Sequence, residues 1–301
     1  MLVRSNIKSP FDGLTISILA AEPECSPKAV VQIAHGICGK KERFKEFMAY
    51  LSENGYACVV NDHRGHGESI IYNKDRGYSY LGRSAALIAD MEGVTSWIED
   101  RFPDTPIFLL GHSMGSLAVR TYIRKHDEKI SGLIVCSSPS YDPLSPVGYI
   151  LAKALCLINK GRIRSVRIQE NTSSKYNRRF KDEGDKAWTC SDPAVREAVR
   201  KDPACNFVLT ADYSLTLMEL MMKTYSRRKW HCHNCSMPIL FLSGEDDPCL
   251  IDRKHFLHAV DHIRSVGYAN VGYHLYPGMR HEVLHEKEKQ KVWNEILKFI
   301  S

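Results

Sequence analysis

The residues best placed to act together are Ser113, His281 and an acid among Glu245, Asp246 and Asp247. Ser113 stands in Gly111-His112-Ser113-Met114-Gly115, between a short apolar run over 107–110 and a helical pattern over 117–125. A serine on a tight strand-to-helix turn sits in a strained conformation, and the flanking glycines remove Cβ atoms where backbones pass closely. The turn presents the hydroxyl at the upper edge of a sheet and at a helix N-terminus. A serine hydroxyl is a weak nucleophile, so it needs a base, and the base needs an orienting acid. His281 closes Pro277-Gly278-Met279-Arg280-His281 after the apolar stretch 271–276, and Glu245-Asp246-Asp247-Pro248 follows the stretch 239–242. Serine, acid, histidine is the chain order expected where strand ends share one sheet edge. Asp247 is the foremost acid because the proline after it favours extended backbone at the end of the loop. Glu245 and Asp246 read as helix caps or surface partners, and Asp142, after an earlier strand, is a further alternative. His285 reads as facing along the last helix.

The same chemistry needs two backbone N–H donors for the developing oxyanion. The residue after the nucleophile, Met114, should give one. Ile37, in the loop that follows His35-Gly36, should give the other. No metal or cofactor is called for.

These loops have to be held by a scaffold, and the pattern along the chain supplies one. A hairpin turns at Phe11-Asp12-Gly13. Strands are expected over 29–34, 57–60, 107–110 and 133–136, with helices over 41–54, 84–102 and 117–125 between them. The alternation stops at Pro139 and resumes at Pro238, with strands over 239–242 and 271–276 and helices over 253–266 and 286–300. Such alternation predicts an α/β protein with a mostly parallel central sheet flanked by helices. The intervening stretch reads as an inserted, mainly helical cap over 141–229, set above a core of 1–140 and 230–301.

Composition is consistent with this and narrows the alternatives. The chain has 301 residues, 44% apolar and 25% charged, which is ordinary globular usage. The opening residues do not read as a secretory signal, and no apolar run approaches a membrane span. With ten cysteines and no signal, reduced thiols and a cytoplasmic location are expected. The cluster His231-Cys232-His233-Asn234-Cys235 could suggest zinc, but it has no second ligand pair and reads as a polar connecting loop. Net charge is +6, and residues 141–229 hold 17 basic against 10 acidic side chains, so the surplus belongs to the insertion. No nucleic-acid motif accompanies it. The apolar stretch 147–158, broken by Lys153, and the basic Lys160, Arg162, Arg164, Arg167, Arg178, Arg179 and Lys181 suggest peripheral contact of the cap with a membrane surface. Cys38 and Cys249 lie in the candidate active-site loops, as small buried side chains or as thiols near the pocket.

The motifs HGICGKKERF, DHRGHGES, GHSMG, GEDDP and YPGMRHEVLHE together resemble the monoacylglycerol lipase and lysophospholipase branch of the α/β-hydrolases, a serine-aminopeptidase-like group. In the insertion, SKYNRRF, AWTCSDPAV and KDPACNFVLT resemble that family's cap. The resemblance implies the α/β-hydrolase fold, Ser113, Asp247 and His281 as triad, and Ile37 and Met114 as oxyanion donors. It implies hydrolysis of carboxylic esters of amphiphilic lipids through an acyl-enzyme. It also implies a structural role for the loop Asp62 to Gly67. The chain departs from the family where monoacylglycerol lipases carry Gly-Glu-His and Cys38-Gly39-Lys40 stands instead, which bears on glycerol recognition and not on the hydrolytic chemistry. The alternatives are an aminopeptidase or amide hydrolase, and a non-catalytic binding protein on the same scaffold.

Overall fold

The computed structural model describes the backbone of residues 1–301 and every side chain except those of Arg167, Ile168, Asn171 and Thr172. Arg167, part of the basic rim expected above, therefore lies outside the described side chains.

Among the described residues one sheet runs through the molecule in the order β1-β2-β4-β3-β5-β6-β7-β8. Its strands are β1 (Leu2–Lys8), β2 (Thr15–Ala21), β3 (Val30–Ala34), β4 (Ala57–Asn61), β5 (Ile107–His112), β6 (Gly132–Cys136), β7 (Ile239–Gly244) and β8 (Val271–Tyr276). The β1–β2 and β2–β4 pairs are antiparallel, and all pairs from β4 to β8 are parallel. Strands β3 to β7 are mainly apolar and almost wholly buried, as expected where helices cover both faces of a sheet.

One face carries α1 (Lys45–Glu53) and α9 (Lys289–Ile300), packed through Phe47, Leu51, Val292 and Ile296 onto Val31, Ile33, Leu110 and Ile134. The other carries α2 (Arg83–Arg101), α3 (Met114–His126) and α8 (Arg253–Ser265), with Leu87, Val94, Leu117, Val119, Phe256 and Val260 in one apolar cluster. Side chains that alternate along one strand fall into different clusters. In β5, Leu109 faces α3 while Leu110 faces α9.

Between β6 and β7 the chain leaves the sheet for α4 (Ser145–Cys156), α5 (Val166–Asn177), α6 (Pro193–Lys201) and α7 (Ala211–Thr224). Helix α7 is not a surface element: Tyr213, Leu220 and Met221 belong to the same apolar cluster as α2 and α3. It anchors the segment, and α4 packs on it through Ala152, Cys156, Ala211 and Leu215. The opposite side of α4 is bare, with Val147, Ile150 and Leu151 all more than half exposed. No helix of the described residues is long and apolar enough to cross a membrane.

Candidate active site

The turn after β5 holds Ser113 at φ 55° and ψ −121°, a conformation that side chains rarely adopt. Its N–H donates to the Cys136 carbonyl of β6 at 3.0 Å. Both flanking glycines are required by contact. A Cβ on Gly115 would lie 2.0 Å from the Ala34 carbonyl oxygen, and one on Gly111 2.4 Å from that of Gly115. The helix behind the serine therefore sits directly against β3, and α3 begins at Met114, three residues before its apolar pattern does.

The acid and histidine loops are laced together. Asp246 N donates to the Met279 carbonyl at 3.0 Å, and Glu245 N to that of Tyr276 at 2.9 Å. A Cβ on Gly244 would lie 2.1 Å from the Met279 oxygen, so this approach also needs a glycine. The result is a continuous line of hydrogen-bonding atoms: His281 Nε2 is 2.8 Å from Ser113 Oγ, and His281 Nδ1 is 2.8 Å from Asp247 Oδ2. Asp247 is buried, and its other oxygen accepts from Cys249 N at 2.9 Å. Burial alone would push the His281 imidazole down. The Asp247 carboxylate outweighs this and holds its pKa well above the ordinary value.

The remaining acids stand elsewhere. Asp246 points away from His281 and pairs with Arg179 of the helical segment at 2.8 Å. Glu245 is exposed, and Asp142 is exposed and accepts from Leu144 N at 2.9 Å. His285 does not face along α9. It lies in the loop before that helix with Nε2 3.0 Å from the Arg43 carbonyl oxygen. That loop stays out of the helix because the Glu286 carboxylate accepts from Arg280 N and Ser191 N at 3.0 and 2.8 Å.

The loop that follows β3 lies against the serine, since a Cβ on Gly36 would come within 2.9 Å of Ser113 Cβ. The N–H groups of Ile37, in this loop, and Met114, at the first turn of α3, donate to none of the described residues. The loop over 62–67 shapes this one. Cys38 N donates to His66 Nε2 at 3.1 Å, and His63 N to His35 Nε2 at 3.0 Å. Asp62 is buried between Lys41 Nζ at 2.5 Å and the N–H groups of Lys41 and Glu68, at 2.8 and 2.9 Å.

Some residues around the site were not legible as such in the sequence. Trp188 of the helical segment lies over the site, its ring 5.2 Å from that of His281, and Tyr176 lies 5.0 Å from Trp188. Arg280 reaches the same segment through the Ala187 carbonyl at 2.7 Å and Glu183 at 2.6 Å. The motif AWTCSDPAV was the available signal, but nothing in it gives the long-range contact. Two surface clefts, of about 500 and 350 Å³, are lined by residues such as Ile71, Arg76, Lys74 and Arg164 and touch none of these groups.

Burial pushes Cys38 up to about 11, and raises Cys249 as well. Cys249 lies beside the same atoms: donor atoms of Asp247, Cys249 and His281 fall within 4.8 Å of one another, the one such three-residue group among the described residues. His231, Cys232, His233 and Cys235 do not converge in this way.

The profile of a family described as "Serine aminopeptidase, S33" matches residues 25–288. Relatives include a monoacylglycerol lipase of Mycolicibacterium smegmatis, 25% identical over 282 residues, covering 92% of this chain and 90% of that protein. Phospholipase YtpA of Bacillus subtilis is 26% identical over 274 residues, covering 89% and 93%. Among solved structures, a thermostable carboxyl esterase from Bacillus coagulans in complex with glycerol superposes with a TM-score of 0.90 at 23% identity, covering 99% and 97%.

Proposed function

The chain belongs to the serine aminopeptidase S33 family of α/β-hydrolases, and from that premise we propose that it hydrolyses carboxylic esters of amphiphilic lipids, monoacylglycerols or lysophospholipids, through an acyl-enzyme on Ser113. The observation that carries this is the unbroken line Ser113–His281–Asp247, with 2.8 Å at each step. His281 takes the Ser113 proton as the hydroxyl oxygen attacks the ester carbonyl. The Ile37 and Met114 N–H groups, free of other partners, receive the oxyanion. His281 then protonates the leaving alcohol, and water attacks the acyl-enzyme by the same route in reverse. Asp247 fixes the imidazole tautomer and stabilises its cation.

The helical segment over 141–229 acts as a cap in this reading, with Trp188 and Tyr176 as the roof of the acyl site. Its contact with a lipid surface rests on the bare side of α4, where Val147, Ile150 and Leu151 are 62%, 67% and 56% exposed. It rests less on the basic rim. Arg162 is paired with buried Asp75 at 2.6 Å, and Arg164 caps the carbonyls of Lys74 and Arg76 at 2.8 and 2.7 Å. An amide-hydrolase reading keeps the same triad and is favoured only by the family's description.

A panel of monoacylglycerols, lysophospholipids, short aryl esters and aminoacyl anilides tests the proposal. Turnover of long-chain esters well above that of the anilides is expected, and the reverse order would make the chain an amide hydrolase. Replacing Val147, Ile150 and Leu151 with Ser should slow hydrolysis of vesicle-borne substrate and leave a soluble short ester unchanged. Equal effects on both would remove the lipid-surface role.

A further inference from the structure

Cys232 and Cys235 lie on the connection that returns the chain from α7 to β7. This turn is shaped in advance. The two residues between the cysteines, His233 and Asn234, both donate their N–H groups to one oxygen of buried Asp127, at 2.9 and 3.0 Å. Tyr268 Oη donates to the same oxygen at 3.0 Å. Gathering both N–H groups on one carboxylate closes the turn and sets the flanking side chains on the same side of it. Both sulfurs accordingly lie over Gly267: a Cβ there would be 3.1 Å from Cys232 Sγ and 3.8 Å from Cys235 Sγ. Cys235 Sγ also donates to the Cys232 carbonyl at 3.4 Å. Cys235 is exposed and Cys232 half-buried, and both are free thiols.

The geometry points to a reversible dithiol–disulfide site at Cys232 and Cys235, oxidised by small disulfides such as glutathione disulfide. The exposed Cys235 thiolate attacks one sulfur of glutathione disulfide and releases one glutathione as thiolate. Cys232, its proton lost to water, attacks the Cys235 sulfur and releases the second glutathione. Two protein thiols are oxidised, and one glutathione disulfide is reduced to two glutathiones. The site is remote from the serine chemistry. Cys235 precedes the start of β7 and Asp247 follows its end, and the six residues of β7 alone span roughly 20 Å. The disulfide therefore closes a local loop within that connection while leaving the triad as it is.

The test is made on the full-length chain. It is incubated with glutathione disulfide, remaining thiols are capped with N-ethylmaleimide, and tryptic peptides are mapped by mass spectrometry. The peptide over 230–253 carries Cys232, Cys235 and Cys249. The expected product lacks two hydrogens and bears a single maleimide, on Cys249, and dithiothreitol restores all three thiols. Ester turnover of the oxidised protein stays within twofold of the reduced protein. In Cys235→Ser the loss of two hydrogens disappears. Three maleimides after treatment of the wild-type chain, or a maleimide on Cys232 or Cys235 in a peptide that has lost two hydrogens, would overturn the assignment.

Discussion

The loops of the core and the helical segment above them hold their charges in different ways. In the core, Arg64 is wholly buried and gives two hydrogen bonds to buried Asp90, at 2.7 and 3.0 Å, and others to Asp12. On the other side, Asp246, whose side chain is 36% exposed, meets an Arg179 that is 61% exposed. A buried pair leaves a stranded charge when one partner goes, whereas water replaces the partner of an exposed one. The frame around Ser113 is thus fixed, and the roof over it is held by exchangeable ties. Asp246 and Asp247, neighbours in the chain, serve one region each.

Four measurements sharpen or break this contrast. Ser113→Ala, on the fixed side, should lower turnover about a millionfold with the fold intact by circular dichroism. Substantial ester hydrolysis by the purified variant would move the nucleophile elsewhere. Asp247→Asn should cost ~10⁴ in rate, because the wrong imidazole tautomer is then favoured. Asp246→Asn should cost little, having lost only an exposed tie to Arg179, and a reversed ranking in initial rates would exchange the two roles.

The third comparison concerns stability. Asp90→Ala should destabilise the chain by roughly 3–5 kcal/mol in denaturant unfolding, since Arg64 is left buried without its main partner. Arg179→Ala should cost about 1 kcal/mol or less, since the Asp246 it leaves is open to water. Equal losses would mean that both regions are held alike.

The smallest effect is on pH dependence. Only neutral His281 can accept the serine proton, so activity is lost as pH falls through its folded pKa. Because the Asp247 carboxylate outweighs burial, that limb should lie on the alkaline side of the ordinary imidazole value of about 6.5. The linkage to stability has the opposite sense. A raised folded pKa gives stability that is fully present below the unfolded value and lost as pH rises through the folded one. In Asp247→Asn burial acts alone and the limb should move down. An acid limb at the same pH in both proteins would sever His281 from Asp247.

The strands and the loops at their ends were legible in the sequence because apolar runs and Gly/Pro breaks are local signals. The structure brings Ser113, Asp247 and His281 together where those loops end. Three kinds of feature were not legible. Lys41 reads only as the start of the helix expected over 41–54, and only tertiary packing pairs it with Asp62 in the interior. Glu286 reads as the first turn of the last helix, but its carboxylate is drawn to Ser191 and Arg280, and α9 begins later. Arg162 and Arg164 read as a basic rim because the acid and carbonyls they meet lie more than forty residues away in sequence.

The tryptophan over the histidine makes the site visible to light. The chain has four tryptophans, and an imidazolium cation against an indole quenches its emission. Trp230 also neighbours a histidine, but burial pushes His262 down to about 4, so that ring stays neutral through the working range. Trp188 sits 5.2 Å from the His281 ring, the imidazole that gains a proton in the proposed reaction. The protein's own fluorescence, followed against pH or through a single turnover, becomes a direct record of where the proton resides.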